Sequence, residues 1–150
     1  MKKSQRLGSI LDLAENREKD AARAFGKLRQ MVESHRGTLE SLQGFRNSYT
    51  ERFRQSGETG ISVQQMLEYR VFLEKIGGVI QEQEQVLARA ELELERARRA
   101  WESAHRHTLG MQKLVDTARG DELRRDARRE QAEMDERAGR KAVTSDRLPE

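Results

Sequence analysis

The chain contains no cysteine, and its single proline, Pro149, stands next to the last residue. The first absence removes disulfides, thiolate metal sites and cysteine nucleophiles. The second leaves everything before it free to run as uninterrupted helix. Aromatic residues make up only 5% of the chain and the whole hydrophobic set 35%. An average globular protein has roughly 45–50% apolar residues, so the 150 residues, enough for one domain, lack the side chains to fill a compact core. No apolar run approaches the ~20 residues that span a bilayer. The opening Met1-Lys2-Lys3-Ser4 is charged too early for a secretory signal. The expected compartment is therefore the cytoplasm, without membrane insertion.

Charge is what the chain has in excess: 37% of residues are ionisable, with Lys+Arg 29 against Asp+Glu 26 and a net charge of +3. A nucleic-acid-binding face gathers its basic groups together, where they displace counterions from phosphates. Here the signs alternate, with Arg23 following Glu18, and Arg98 following Glu91 and Glu95. Such spacing predicts solvated helix faces laced with local ion pairs and no nucleic-acid partner, with a structural or nucleic-acid-binding coiled coil as the alternative reading.

The apolar residues that remain are strictly ordered. One row reads Leu7, Ala14, Ala21, Leu28, His35, Leu42, Tyr49, and a second reads Leu11, Glu18, Phe25, Val32, Leu39, Arg46, Phe53. This alternation of four and three is a coiled-coil seam with polar interruptions at Glu18, His35 and Arg46. A break follows at Ser56-Gly57-Glu58-Thr59-Gly60-Ile61-Ser62, after which Ser62 and Gln65 have the spacing of a capping box. Beyond it run Met66, Leu73, Ile80, Leu87, Leu94, Trp101, Thr108, Val115 and, beside them, Tyr69, Ile76, Gln83, Ala90, Ala97, Ala104, Met111, Ala118.

The pattern predicts an all-α fold: a two-helix antiparallel coiled-coil hairpin with an overhanging C-terminal helix. Its expected parts, within a single domain 1–150, are helix 1 at about 5–54, a turn at about 55–62, helix 2 at about 63–140 and a frayed tail at 141–150. Folding back near residue 58 sets Leu42 against Leu73 and Ile76, Leu28 against Leu87 and Ala90, and Ala14 against Trp101. Helix 1 then runs out near residue 112 of helix 2, leaving 119–141 as a projecting segment only marginally stable alone. A monomer is expected, with self-assembly through the same heptads as the competing arrangement.

Chemistry is sparse. His35 falls in the seam, and His105 and His107 diverge around a helix, so no metal or cofactor is expected. No HExxH, phosphate-loop or nucleophile-elbow motif occurs, and carboxylates on open helix faces lack a cavity to tune them. The chain is therefore not read as an enzyme. Gly77-Gly78 inside helix 2 costs roughly 2 kcal/mol relative to alanine; it is either a tolerated weak spot or a hinge where a backbone approaches closely. The aromatics are more telling. Phe45, Tyr49, Phe53, Tyr69 and Phe72 crowd around the turn, with Phe45, Phe72 and Val79 one position off the seam, where apolar groups mark a docking surface.

Several stretches together resemble a known family. They are Leu7 with Asp12-Leu13-Ala14-Glu15, Ala21-Ala22-Arg23, Tyr49, Gly60-Ile61, Tyr69 with Phe72, Trp101, and Glu130-Gln131-Ala132-Glu133-Met134-Asp135-Glu136. In combination and in length the chain resembles the FliJ family of flagellar type III export proteins. That resemblance implies a non-catalytic stalk or adaptor needed for flagellar biogenesis and motility, peripherally associated with the inner membrane at the flagellar base. It implies partners: the hexameric export ATPase FliI, whose ring formation it promotes, the cytoplasmic domain of the gate protein FlhA, and export chaperones. The positions matching the family's gate-binding surface are Leu42, Phe45, Tyr49, Phe72, Ile76, Val79 and Gln83. By analogy with a rotor axle, Glu130, Gln131, Met134, Asp135 and Glu136 would engage the ATPase. The equivalent stalk of a non-flagellar type III secretion system is the nearest alternative.

Overall fold

The computed structural model describes residues 1–146. Two helices account for nearly all of them, α1 at Lys3–Thr59 and α2 at Val63–Asp146, and no strand occurs among the described residues. The chain is an all-α antiparallel hairpin. It divides into two compact units, one comprising Met1–Glu18 with Ala104–Glu150 and the other Lys19–Ser103.

In the turn-containing unit, Lys19–Ser103, the chain reverses over three residues, 60–62. The expected turn at 55–62 was too long, because α1 continues through Gly57 to Thr59. Arg54 bridges Glu51 at 2.7 Å and Glu58 at 3.7 Å, and the Thr59 hydroxyl donates to the Ser56 carbonyl at 2.9 Å. These local bonds carry the helix over Gly57, which is helix-compatible. The reversal waits for Gly60, whose φ of 94° is the left-handed conformation that a Cβ disfavours. Helix α2 then starts from the capping box read in the sequence. The Gln65 N–H donates to Ser62 Oγ at 3.1 Å, and the Ser62 N–H donates to Gln65 Oε1 at 3.0 Å.

The seam of this unit buries Val32, Ile76, Ile80 and Ala90, with Val32 only 1% exposed. Phe25 and Trp101 stack across it with ring centroids 6.3 Å apart, and Arg29 lies over the Phe25 face at 5.6 Å. Every predicted seam position of α1 is buried or half-buried, the polar Glu18, His35 and Arg46 included. On α2 only Met66, beside the turn, is exposed.

In the other unit, Leu11, Ala14, Met111 and Val115 form a small closed core with Leu7 packed against it. Ala14 faces the Thr108 hydroxyl here, while Trp101 belongs to the stack with Phe25. The expected Ala14–Trp101 pairing is thus displaced by one heptad. Moving the pivot from about 58 to the observed 60–62 moves each facing partner by twice that amount. The same displacement lengthens the pairing. Ser4 of α1 meets Glu122, so α2 loses its partner beyond 122 and not near 112. From residue 123 onward every described side chain except Asp126 is exposed. This overhang stays helical to Asp146, six residues past the expected end, with Arg140–Glu136 and Gln131–Asp135 pairs along its faces. Residues 147–150 of the expected frayed tail lie outside the described residues.

Gly77 and Gly78 are both helical, and a Cβ built on either meets nothing within 4 Å. No backbone approaches them closely. Gly77→Ala and Gly78→Ala should each stabilise the hairpin by roughly 1 kcal/mol, raising the melting temperature in circular dichroism. Gly60→Ala, at the left-handed position, should cost about 1–2 kcal/mol. A Gly60→Ala protein melting at the unaltered temperature would remove this account of the turn.

Candidate partner-binding surfaces

Because α1 stays helical past residue 53, Phe45, Tyr49 and Phe53 recur every four residues along one side of it. Tyr69 and Phe72 of α2 fill the gaps. Phe53 stacks on Tyr69 at 3.7 Å, Tyr49 lies 5.9 Å from Tyr69 and 3.9 Å from Phe72, and Phe72 meets Phe45 edge-on at 5.8 Å. These centroid separations fall at or below the range in which offset and edge-to-face rings attract. The five aromatics counted around the turn are thus one continuous ladder.

The proposed gate-binding positions separate by exposure. Ile76 is a core residue at 8% exposure, one helical turn from Phe72 on α2. Leu42, Tyr49, Phe72 and Gln83 are half-buried. Phe45, 53% exposed, and Val79, 44% exposed, are the apolar groups that water reaches. Val79 stands one heptad after Phe72, which places it on the side of α2 where Phe72 meets Phe45. Two features near the turn escaped the reading of the sequence. Tyr49, Arg52, Phe53, Ser56, Ile61, Gln65 and Glu68 line a shallow groove, and Met66, Leu67 and Val71 lie exposed beside it. The groove follows from the prolonged α1, which brings Ser56 and Ile61 to its rim; no spacing rule pointed to it.

The second set, Glu130, Gln131, Met134, Asp135 and Glu136, lies wholly in the other unit, on the overhang of α2. All five are exposed. Gln131 donates to Asp135 at 3.1 Å and Arg140 pairs with Glu136 at 2.6 Å, leaving Met134, 59% exposed, as the apolar group among them.

The ion pairs elsewhere lie mostly within one helix. Arg98 binds Glu95 at 2.5 Å and also Glu102, and Arg99 binds Glu95 at 3.2 Å. Arg23 pairs with Asp20 at 3.7 Å and not with Glu18, which faces the seam. The Arg98 guanidinium, foremost by its hydrogen bond, holds the Glu95 carboxyl down at about 2. Glu18 is lowered by its hydrogen bond with His105, and Glu122 by bonds from the Ser4 hydroxyl and N–H. Arginines paired with carboxylates three or four residues away, as Arg54, Arg98 and Arg140 are, match the interspersed charge of the sequence. Among the described residues no three histidine, aspartate or glutamate side chains gather as a metal site, and no helix is long and apolar enough to cross a membrane.

An antiparallel pair of long helices with an aromatic cluster near the turn and an exposed overhang of α2 defines an all-α coiled-coil hairpin protein. The comparisons narrow this class. A family model described as "Flagellar FliJ protein" matches residues 2–147. Proteins named "Flagellar FliJ protein" from Salmonella typhi and from Escherichia coli (strain K12) are each 26% identical over 137 residues, covering 91% of this chain and 93% of the relative. The chain belongs to the flagellar FliJ protein family.

Glu18, Glu95 and Glu122 all bind protons less readily folded than unfolded. Their stabilisation is complete above the ordinary carboxyl value of 4.5 and is lost as pH falls, for Glu95 between 4.5 and about 2. The melting temperature should therefore drop as the solution is acidified through this window. Glu95→Gln and Glu122→Gln should flatten that drop, and slopes identical to the unaltered chain would assign the acid response to other groups.

Proposed function

We propose that this chain is a non-catalytic adaptor of the flagellar type III export apparatus, engaging the cytoplasmic domain of the export gate through one unit and the export ATPase through the other. Family membership supports the coarser part of this reading, a component of flagellar export. The observation that carries the finer part is the aromatic ladder with Phe45 and Val79 left exposed above it. A well-packed aromatic base with apolar groups still facing water is the usual anatomy of a binding hot spot. The gate surface comprises Phe45, Val79 and Phe72, with Leu42, Tyr49 and Gln83 at its edge and Ile76 buried one helical turn from Phe72.

The overhang of α2 is the proposed ATPase contact. Met134 supplies an apolar anchor, and the exposed carboxylates of Glu130, Asp135 and Glu136, interspersed with Arg137 and Arg140, supply charge for ion pairs. Its helix needs no α1 partner beyond Glu122, so it can bind without opening the hairpin. Promotion of ATPase ring assembly, handling of export chaperones and peripheral residence at the inner membrane belong to the same proposal. A protein that acts only by contact needs no buried catalytic group, and ion pairs lying mostly within one helix are consistent with that.

Phe45→Ala should weaken binding to the gate domain by about 2 kcal/mol, as loss of an interface aromatic often does, or roughly thirtyfold in a direct titration. Its melting temperature should hardly move, since the ring is half in water. Unchanged affinity would remove Phe45 from the surface. Truncation after Arg129 retains the Ser4–Glu122 contact and should leave thermal stability intact while abolishing stimulation of ATP turnover by the export ATPase. Full stimulation by the truncated chain would place the ATPase contact elsewhere.

A further inference from the structure

The core of the unit containing both chain ends is poor in information about register. Leu7, Leu11 and Ala14 face Met111, Val115 and neighbouring small residues, and the alanine row of α2 repeats every seven residues as Ala90, Ala97 and Ala104. Sliding α1 by one heptad would again set apolar side chains against small ones. Within this unit, packing of the small core alone therefore scarcely distinguishes the observed pairing from its neighbours.

Polar contacts do distinguish it. Glu18 occupies a seam position, and its Oε1 lies 2.5 Å from Nδ1 of His105 on α2. The Thr108 hydroxyl, one turn further along α2, lies 3.0 Å from the Ala104 carbonyl and 3.3 Å from the carbonyl of Ala14 on α1. Near the start of α1, the N–H and hydroxyl of the buried Ser4 both donate to the Glu122 carboxylate, at 3.0 and 2.7 Å. A displaced α1 would lose these bonds together. The residues one heptad from His105 are poor substitutes: Arg98 is held by Glu95 and Glu102, and Gln112 donates to Asp116 at 3.0 Å.

We propose that the Glu18–His105–Thr108 cluster is a register lock, which gives up some apolar packing in the seam to fix which residues of α1 and α2 face each other. A seam carboxylate that found no partner in a slipped pairing would bear its full desolvation penalty, so slippage is disfavoured out of proportion to the strength of the bonds themselves.

The absence of cysteine allows a direct test, because Ser9→Cys and Lys113→Cys place a pair of spin labels at exposed positions of this unit. Distances within one chain are then read by pulsed electron resonance after dilution with unlabelled protein, alongside helix content and melting temperature. The unaltered seam should give one narrow distance. Glu18→Leu combined with His105→Leu should keep the helix content and melt no lower, yet broaden the distribution or add a second distance. Glu18→Gln, which keeps an acceptor for His105, should retain the narrow one. A single narrow distance in the double variant would overturn the proposal. So would loss of helix in that variant, which would make the cluster a source of stability instead of register, and so would broadening in Glu18→Gln.

Discussion

A hairpin of two helices has one interface, and everything in this structure depends on how that seam is filled. There is no second layer to correct an error and no interior remote from water. Only a few side chains, among them Val32 and Val115, are fully withdrawn from solvent. Each apolar contact along the seam therefore carries more of the folding free energy than it would in a globular core, and two buried or half-buried polar residues of α1 bond to the facing helix. Glu18 finds His105, and Ser4 finds Glu122. The outer faces, freed from packing, carry the local Arg–Glu and Arg–Asp pairs that support long helices and keep the surface soluble.

The same constraint explains where function can reside. A single seam leaves most side chains at least partly in contact with water. It can display apolar side chains beside the seam, and it can project one helix beyond the other. Both devices are present. The aromatic ladder lies close to the turn, with Phe45 its exposed member and Val79, one heptad after Phe72, exposed near it. The overhang beyond Glu122 is stabilised only by its own hydrogen bonds and ion pairs, which leaves both of its sides open to a partner. Membership of the flagellar FliJ family accords with a protein that works through such surfaces.

Much of this was legible in the order of the residues. The two rows of heptad positions fell on the buried side of each helix because burial on a helix has a period that the sequence must repeat. Ser62 and Gln65 formed the capping box that their spacing announced. The aromatics near the turn announced a cluster, although not that Ile76 would be buried and Phe45 half in water. The turn itself was misjudged. Two glycines and several hydroxyl residues have the composition of a loop, yet Gly57 remains helical because Arg54 spans it with an ion pair to Glu58. That error of a few residues displaced the distal pairing by a heptad, because a hairpin doubles any shift of its pivot.

What the sequence alone determined was periodicity: an all-helical chain, which side of each helix is buried, and an antiparallel return. These follow from local geometry and from spacing within one helix. The tertiary structure decided what periodicity leaves degenerate. A heptad pattern is unchanged by sliding one helix along the other, so only the folded chain could pair Glu18 with His105, Ser4 with Glu122 and Phe25 with Trp101, and so set how far the overhang extends. Polar bonds and stacked rings break that degeneracy, because they are directional and are satisfied in one register alone.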